Sequence, residues 1–338
     1  MSESGEDALV AAIKKIAGIG GQGVRVGIGD DCAVLEPTPG ALLLATTDLL
    51  VEDVHFRRRY ATPADIGWKA IAVNLSDIAS MGGRPRWALV ALACPDDVEP
   101  AAVHEFYESA RTLADAHDVA IVGGDTSASS AGWIVNVTLL GETTARTLLR
   151  RGARPGDVVA VTATLGRSAA GLALLEHGGT AAGLDADRAT AAVAAHLRPR
   201  PRVAEGRWLA GAAGVTAMMD LSDGLATDLP RLARESAVGA RIDLPRVPVD
   251  ATAQAVARAL GADATVWATG GGEDYELLLT CERAAFDRLA DELAGASGVR
   301  LHAIGEVTTG RDVRFVDGAG APVAVRAGFE HFRDGARR

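Results

Sequence analysis

The hydrophobic residues of this chain come in short runs, and the longest unbroken one, at 87–94, has eight residues. A helix that crosses a bilayer needs about 20, so no membrane span is expected. Short apolar runs alternating with segments of helical periodicity predict α/β (α+β) layering, with mixed sheets packed against helices. At about 150 residues per domain, the 338 residues predict two domains.

The pattern places individual elements along the chain. Strands are predicted at 24–28, 41–46, 87–94, 119–122, 133–141, 158–162, 216–219 and 276–280. Helices are predicted at 6–17, 63–81, 99–117, 166–177, 186–197, 201–213, 223–236 and 250–260. The segment 151–157 combines glycine, proline and charge between two apolar strands, which is typical of a domain boundary. We therefore expect domains at 1–150 and 151–338.

Charge and cysteine content exclude further classes. The net charge is −10, whereas a general nucleic-acid binder normally has a basic face. Three cysteines without a C-x-x-C pair favour a reducing cytosol over a disulfide framework. The acidic N-terminus lacks the basic start and apolar core of a signal peptide. A cytoplasmic protein without nucleic-acid or membrane partners is expected.

Lysine is scarce, and its positions exclude one kind of nucleotide site. Only Lys14, Lys15 and Lys69 are present, and none follows a glycine, so the chain has no G-x-x-x-x-G-K-[ST] P-loop. Residues 18–23 match G-x-G-x-x-G. They lie between a predicted helix and a predicted strand, the reverse of the dinucleotide-binding context, and are interpreted as a loop.

Six short segments combine small or apolar residues with one or two carboxylates. They are Gly-Ile-Gly-Asp-Asp at 27–31, Thr-Thr-Asp at 46–48, Asn-Leu-Ser-Asp at 74–77, Gly-Gly-Asp-Thr at 123–126, Asp-Leu-Ser-Asp-Gly at 220–224 and Gly-Gly-Gly-Glu-Asp at 270–274. Three of the aspartates, Asp48, Asp125 and Asp220, directly follow a predicted strand. Binding crevices of sheet proteins form at such strand ends.

Each aspartate alone could be a turn former or a helix N-cap, and Asp223 before Gly224 is the clearest example. Several converging carboxylates would instead repel one another and require a cation. Oxygen ligands from Asp and Thr suit Mg²⁺, which completes its coordination with substrate phosphates. The chain has no H-E-x-x-H, paired-Cys or G-x-S-x-G motif. Magnesium–nucleotide chemistry is the leading interpretation from the residues.

The six segments, with His55-Phe56 and Tyr275-Glu276-Leu277, stand in an order that identifies a family. From about residue 6 to Phe332 the chain resembles the thiamine-monophosphate kinase family of the aminoimidazole-ribonucleotide-synthetase-like superfamily. The resemblance implies a homodimer of two-domain subunits that transfers the γ-phosphoryl group of ATP to thiamine monophosphate with several Mg²⁺ ions. The N-terminal domain would bind ATP and Mg²⁺ and dimerise, and the C-terminal domain would complete the active site.

The resemblance also implies roles for particular residues. The magnesium ligands would be Asp31, Thr46, Thr47, Asp48, Asp77, Asp125, Asp220 and Asp223, with Asp48, Asp125 and Asp223 catalytic. Contacts to ATP would come from Tyr107, Gly124, Asp125, Arg150 and Ser222. His55, Glu273 and Phe329 would line the thiamine site. The chain departs from the family pattern at Glu52-Asp53, where glycine is common, and at Phe329, where Tyr or Trp is common.

Two alternatives remain open. One is another ATP-using member of the superfamily, such as a purine-pathway synthetase, selenophosphate synthetase or the hydrogenase-maturation dehydratase. Selenophosphate synthetase has a reactive Cys followed by Lys near its N-terminus, and the dehydratase ends in cysteine, patterns that this sequence lacks. The other alternative is a non-catalytic sensor of magnesium nucleotides.

Overall fold

The structure, a computed structural model, describes residues 6–18 and 20–329. The chain forms two compact units, one extending to Ala79 and including Gly83–Arg146, the other consisting of Ser80–Gly82 and the chain from Thr147 onward. The change of unit after Arg146 lies close to the boundary predicted after residue 150.

The first unit contains helices, a two-stranded antiparallel sheet and a four-stranded mixed sheet. Its elements are α1 (Glu6–Ala17), β1 (Val24–Val26), β2 (Val34–Leu35), β3 (Leu42–Val51), α2 (Pro63–Ser80), β4 (Arg84–Cys94), α3 (Pro100–Ala116), β5 (Ala120–Ala128) and β6 (Ile134–Thr143). The main sheet has the order β3-β6-β4-β5, in which only β4 and β5 are parallel. Strands β1 and β2 pair separately.

The two faces of the four-stranded sheet differ in burial. On one face Leu44, Leu50, Val90 and Leu92 are buried, and a methyl group at Gly141 would lie 2.9 Å from Ile78 of α2. That face therefore packs on helix. The other face, here called the open face, carries the exposed side chains Leu43, Leu49 and Leu89 together with Thr47 and Asn136.

The second unit is built on one seven-stranded sheet. Its elements are β7 (Val158–Thr162), α4 (Arg167–Glu176), α5 (Ala186–Leu197), α6 (Val203–Gly211), β8 (Val215–Asp220), α7 (Leu225–Glu235), β9 (Gly239–Asp243), α8 (Ala251–Leu260), α9 (Ala264–Gly270), β10 (Leu277–Cys281), α10 (Phe286–Ser297), β11 (Leu301–Thr308), β12 (Val313–Val316) and β13 (Pro322–Val323). The strand order is β13-β12-β9-β11-β7-β10-β8.

Both faces of this sheet are covered. Val159 and Val161 of β7 belong to one hydrophobic cluster, and Val158 and Ala160 belong to another. A strand buried on both faces reads as a continuous apolar run rather than an alternating one. Burial on both sides explains why β7 was predicted with its observed bounds from composition alone.

The structure confirms the two-domain α/β architecture and corrects details of it. Asp48, Asp125 and Asp220 were expected just after strands, but β3 and β5 continue through the first two and β8 ends at Asp220. The predicted elements do not include β2, β9, α9, α10 and β11 to β13. Over residues 6–18 and 20–329, no helix is long and apolar enough to cross a membrane.

Candidate active site

Two carboxylates of the first unit, Asp48 on β3 and Asp77 on α2, lie close together. The pKa of Asp48 is raised to about 7, because the carboxyl is withdrawn from water and because the charge of Asp77 is nearby. The hydroxyl of Thr46, on the same face of β3, donates a hydrogen bond to Asp77 Oδ2. Strand β3 and helix α2 thus assemble an oxygen-only group from two of the predicted magnesium segments.

Asp125 lies on β5, the edge strand opposite β3 in the same sheet. It is in register with Ala91 on β4, which faces Asn136 on β6, so it belongs to a row of the open face. Strand β5 is three strand spacings from β3, which places Asp125 about 14 Å from Asp48 at ~4.8 Å per spacing. The two carboxylates cannot share one ion within a subunit.

The neighbours of Asp125 and Asp48 are also ordered by hydrogen bonds. Asp125 Oδ1 accepts a bond from the backbone N–H of Thr126 at 3.0 Å. A side chain at Gly124 would collide with the carbonyl oxygen of Val90 on the neighbouring strand, so only glycine allows the close approach. Thr47 Oγ1 accepts from Asn136 Nδ2 at 2.9 Å on the open face, away from Asp77.

Three further predicted residues of the first unit occupy different surroundings. Asp31 is exposed, and its N–H donates to Asp30 at 2.9 Å. His55 Nδ1 accepts from the Val51 N–H at 3.0 Å, so the proton of the neutral ring lies on Nε2. Tyr107 is buried on α3, and burial raises its pKa. The structure therefore places Tyr107, a predicted ATP contact, in the hydrophobic core.

The Glu52 departure has a structural explanation. The Glu52 carboxylate accepts from Arg58 Nε at 2.8 and 2.9 Å and from the Trp133 N–H at 2.9 Å. Asp53 has a φ of +66°, a left-handed conformation that glycine adopts more easily. The loop after β3 thus accommodates both acidic residues, Glu52 through its hydrogen bonds and Asp53 through a left-handed backbone conformation.

In the second unit, the segment after β8 forms a charged cluster. Asp220 is the buried last residue of β8, and the Asp223 carboxylate pairs with Arg231 Nη1 at 2.5 Å. Arg231 also contacts Asp228 at 2.8 Å, a buried carboxyl whose pKa is raised by desolvation to about 6. Helix α7 has Gly224 as its N-cap and no side-chain cap. The alternative that Asp223 caps this helix is therefore wrong.

The loop before β10 packs directly on this segment. The Glu273 N–H donates to Ser222 O at 2.7 Å, and the Phe329 N–H donates to Asp223 O at 3.2 Å. Phe329 is the last described residue, and its side chain is exposed. Ser222, Asp223, Glu273 and Phe329 are thus neighbours along the backbone of one unit. Arg150 is exposed on the same unit, and its carbonyl accepts from Ser236 Oγ at 2.8 Å.

Some site residues were not singled out from the sequence. Arg231 and Asp228 lie on α7 three residues apart, a helical spacing that could have indicated an ion pair. His196 of α5 contacts Glu273, and no local pattern signals a contact across 77 positions of sequence.

The donor set of the first unit suits Mg²⁺. Within the described ranges no three His, Cys, Asp or Glu side chains lie close enough to hold a metal ion. Asp48 and Asp77 nevertheless form a close pair of carboxylates whose repulsion a cation would relieve. Mg²⁺ commonly uses only one or two carboxylates and takes its other ligands from water and phosphate, so the residues present fit that ion.

Comparison with known proteins identifies the family of this chain. Residues 29–143 match the family described as AIR synthase related protein, N-terminal domain, and residues 154–318 match the corresponding C-terminal domain. The thiamine-monophosphate kinase of Escherichia coli O157:H7 is 39% identical over 314 residues, covering 91% of this chain and 92% of that protein.

Solved structures give the same result. The crystal structure of thiamine-monophosphate kinase from Stenotrophomonas maltophilia K279a superposes with a TM-score of 0.81 at 36% identity, covering 92% of this chain and 96% of that one. The complex of AaThiL with AMPPCP and TMP has a TM-score of 0.77 at 35% identity and covers 98% of both chains. This chain belongs to the thiamine-monophosphate kinase family, within the AIR synthase related proteins.

Proposed function

We propose that this protein transfers the γ-phosphoryl group of ATP to thiamine monophosphate, giving thiamine diphosphate and ADP. The observation that carries the proposal is 39% identity to a thiamine-monophosphate kinase over 91% of the chain. The related structure with AMPPCP and TMP holds an ATP analogue together with that acceptor.

The chemistry needs no general base from the protein. The nucleophile is a phosphate oxygen that is largely ionised at neutral pH, since the second pKa of a phosphate monoester is about 6. The main barrier is bringing two anions together, so charge neutralisation and in-line positioning are the tasks of the site. This matches a candidate site made of carboxylates and hydroxyls, in a sequence that has no G-x-S-x-G nucleophile motif.

Mg²⁺ is the ion that we assign to the carboxylates. Asp48, Asp77 and Thr46 would hold one ion, and Asp125 with Thr126 would serve another because of its distance from Asp48. Bound Mg²⁺ would neutralise the phosphate charges during transfer. Asp31, Thr47, Asp220 and Asp223 are assigned to the same role by family resemblance.

The remaining predicted residues would bind the two substrates. Gly124, Ser222 and Arg150 would contact ATP, with the exposed Arg150 taking the place of a P-loop lysine. Tyr107 is assigned to ATP by family resemblance alone, because its side chain is buried. His55 would present its Nε2–H to the acceptor. Glu273 and Phe329 suit the cationic thiazolium ring, which favours an acidic and aromatic pocket.

We also propose a homodimer that forms through the open face. Leu43, Leu49 and Leu89 are 53%, 52% and 37% exposed on one sheet, and exposed apolar surface of this kind marks protein contacts. A second copy would bury them. Cytoplasmic location is proposed as well, because Cys32, Cys94 and Cys281 are all free thiols, as in a reducing compartment.

A direct assay tests the function. The purified protein is incubated with ATP, Mg²⁺ and thiamine monophosphate, and ADP and thiamine diphosphate are separated by chromatography. We expect the two products in equal amounts, and no phosphorylated product when thiamine replaces thiamine monophosphate. ATP binding without turnover would contradict the kinase and support the non-catalytic sensor.

A further inference from the structure

His196 contacts Glu273 and has no role in the function proposed above. It lies on α5 and is buried, with Nδ1 3.1 Å from Glu273 Oε2 and 3.1 Å from Ser168 Oγ. Ser168 is in the first turn of α4. Two packed helices and the loop before β10 therefore meet at one imidazole nitrogen.

The backbone of Glu273 is held in an unusual conformation. Its φ is +64°, in the left-handed region that non-glycine residues seldom adopt, and Tyr275 has a φ of +50°. The Glu273 N–H donates to Ser222 O at 2.7 Å, and a methyl group at Gly272 would lie 2.6 Å from the same oxygen. Backbone strain of this kind persists only where the surroundings impose it, and it concentrates at functional sites.

The helix that carries Ser168 is anchored to the same loop. The N–H groups of Gly166 and Ser168 donate to the two carboxylate oxygens of Asp274, at 2.6 and 3.0 Å. Asp274, the residue after Glu273, is thus bonded to the N-terminus of α4. Ser168 of the same helix contacts His196. The Glu273 side chain is therefore positioned from a rigid support.

The proton on His196 follows from the partners of Nδ1. An ionised carboxylate can only accept hydrogen bonds, so Nδ1 carries the proton and donates it toward Glu273. Ser168 Oγ then lies beside the same N–H as an acceptor. A charged acceptor makes such a hydrogen bond stronger than a neutral one.

We propose that His196 is a positioning residue that fixes the Glu273 carboxylate for binding the thiazolium cation of the acceptor. This inference rests on the proposed function. It assigns to His196 an effect on the affinity for thiamine monophosphate, exerted through Glu273, with little effect on ATP.

Two polar substitutions of His196 separate this role from a general packing role. In His196→Asn the amide nitrogen can take the position of Nδ1, whereas in His196→Gln it reaches toward the position of Nε2. We expect His196→Gln to raise KM for thiamine monophosphate about tenfold, the usual effect of losing one hydrogen bond to a charged group. KM for ATP should change less than twofold, and His196→Asn should retain near wild-type values.

The double variant His196→Gln/Glu273→Gln tests whether the effect passes through Glu273. Residues that act together are non-additive, so KM for thiamine monophosphate in the double variant should match that of Glu273→Gln alone. His302→Leu, which removes an imidazole from β11 of the same unit, is the matched control. Melting temperatures of all variants establish that they are folded.

The outcomes distinguish the inference from the function. Wild-type protein that makes no thiamine diphosphate contradicts the proposed function. Active wild type with additive losses in the double variant overturns the role of His196 alone. The same conclusion follows if His196→Gln and His196→Asn behave alike, or if KM for ATP rises equally.

Discussion

Asp48 and Asp77 face each other where β3 meets α2, and the charge of Asp77 helps to raise the pKa of Asp48 to about 7. A protein that kept this pair only for stability would gain by replacing one carboxylate, because two nearby like charges repel. The pair therefore has the character of a binding site, in which free energy of folding is given up for affinity toward a cation.

Replacing Asp48 with asparagine tests this interpretation. We expect kcat/KM to fall at least ~100-fold, the usual scale for removing a group that stabilises developing charge. The melting temperature in EDTA should stay the same or rise, since a desolvated charge is removed. Mg²⁺ should raise the melting temperature of wild type more than that of the variant.

Asp291→Asn on the exposed side of α10 provides the control for Asp48→Asn. It makes the same chemical change at a solvated position and should leave turnover and melting unchanged. A large loss of stability in Asp48→Asn would show instead that Asp48 is a structural residue.

The open face gives a prediction about assembly. Leu89 lies on the inner strand β4 of the sheet and is 37% exposed, so Leu89→Asp places a charge where a second copy would bury it. We expect wild type to elute as a dimer and Leu89→Asp as a monomer in size-exclusion chromatography with light scattering. Val266→Asp changes a comparably exposed residue of α9 and should remain dimeric. Monomeric wild type would refute the interface.

Gly124 gives a prediction about packing. Gly124→Ala forces a methyl group against the Val90 carbonyl, and overpacking of this kind costs about 1–3 kcal/mol of unfolding free energy. Urea unfolding measures the loss. Gly295→Ala in the open surroundings of α10 should instead stabilise by ~0.5–1 kcal/mol. Equal effects at both positions would show that the close approach of β5 to β4 is not required.

Local pattern was sufficient for elements whose residues are uniform in environment. Helix α5 begins and ends where it was predicted, at 186–197. Strand β9 was missed because Arg241 and Asp243 alternate with buried residues. These two residues form an ion pair with each other, and Arg241 also pairs with Glu306 on the neighbouring strand β11. The pairing of β9 with β11 and β12, which are distant in sequence, stabilises it as a strand.

The site was predicted in part for the same reason. The carboxylate segments are visible in sequence, and the family resemblance implied that Asp48 and Asp77 are both magnesium ligands. The strand pairing of Asp48 was not predicted. Asp48 is in register with Val137 of β6, and β3 continues beyond it to Val51. The contacts of Arg231 with Asp223 and of His196 with Glu273 depend on tertiary packing, and no periodicity reports them.

The pH dependence of stability gives the last prediction, which concerns Asp274. Its carboxyl accepts from the N–H groups of Gly166 and Ser168, and desolvation raises its pKa from 3.8 to about 7. A folded-state pKa above the unfolded one stabilises at low pH, and that stability is lost as the pH rises through 7. The loss is ~1.4 kcal/mol per pH unit between the unfolded-state pKa of 3.8 and the folded-state pKa of about 7, and it levels off at higher pH.

Asp274→Asn cannot ionise and so lacks this dependence. At pH 5.5 the variant should be less stable than wild type by ~1–2 kcal/mol, because its amide NH₂ replaces an acceptor and leaves a backbone N–H unpaired. Urea unfolding in metal-free buffer at pH 5.5, 7.0 and 8.5 should show the difference shrinking mainly between pH 5.5 and 7.0, with little further change at pH 8.5. Asp287→Asn on α10, a solvated position, should run parallel to wild type. A constant difference for Asp274→Asn would mean that this carboxyl is ionised throughout and that its two backbone donors outweigh its desolvation.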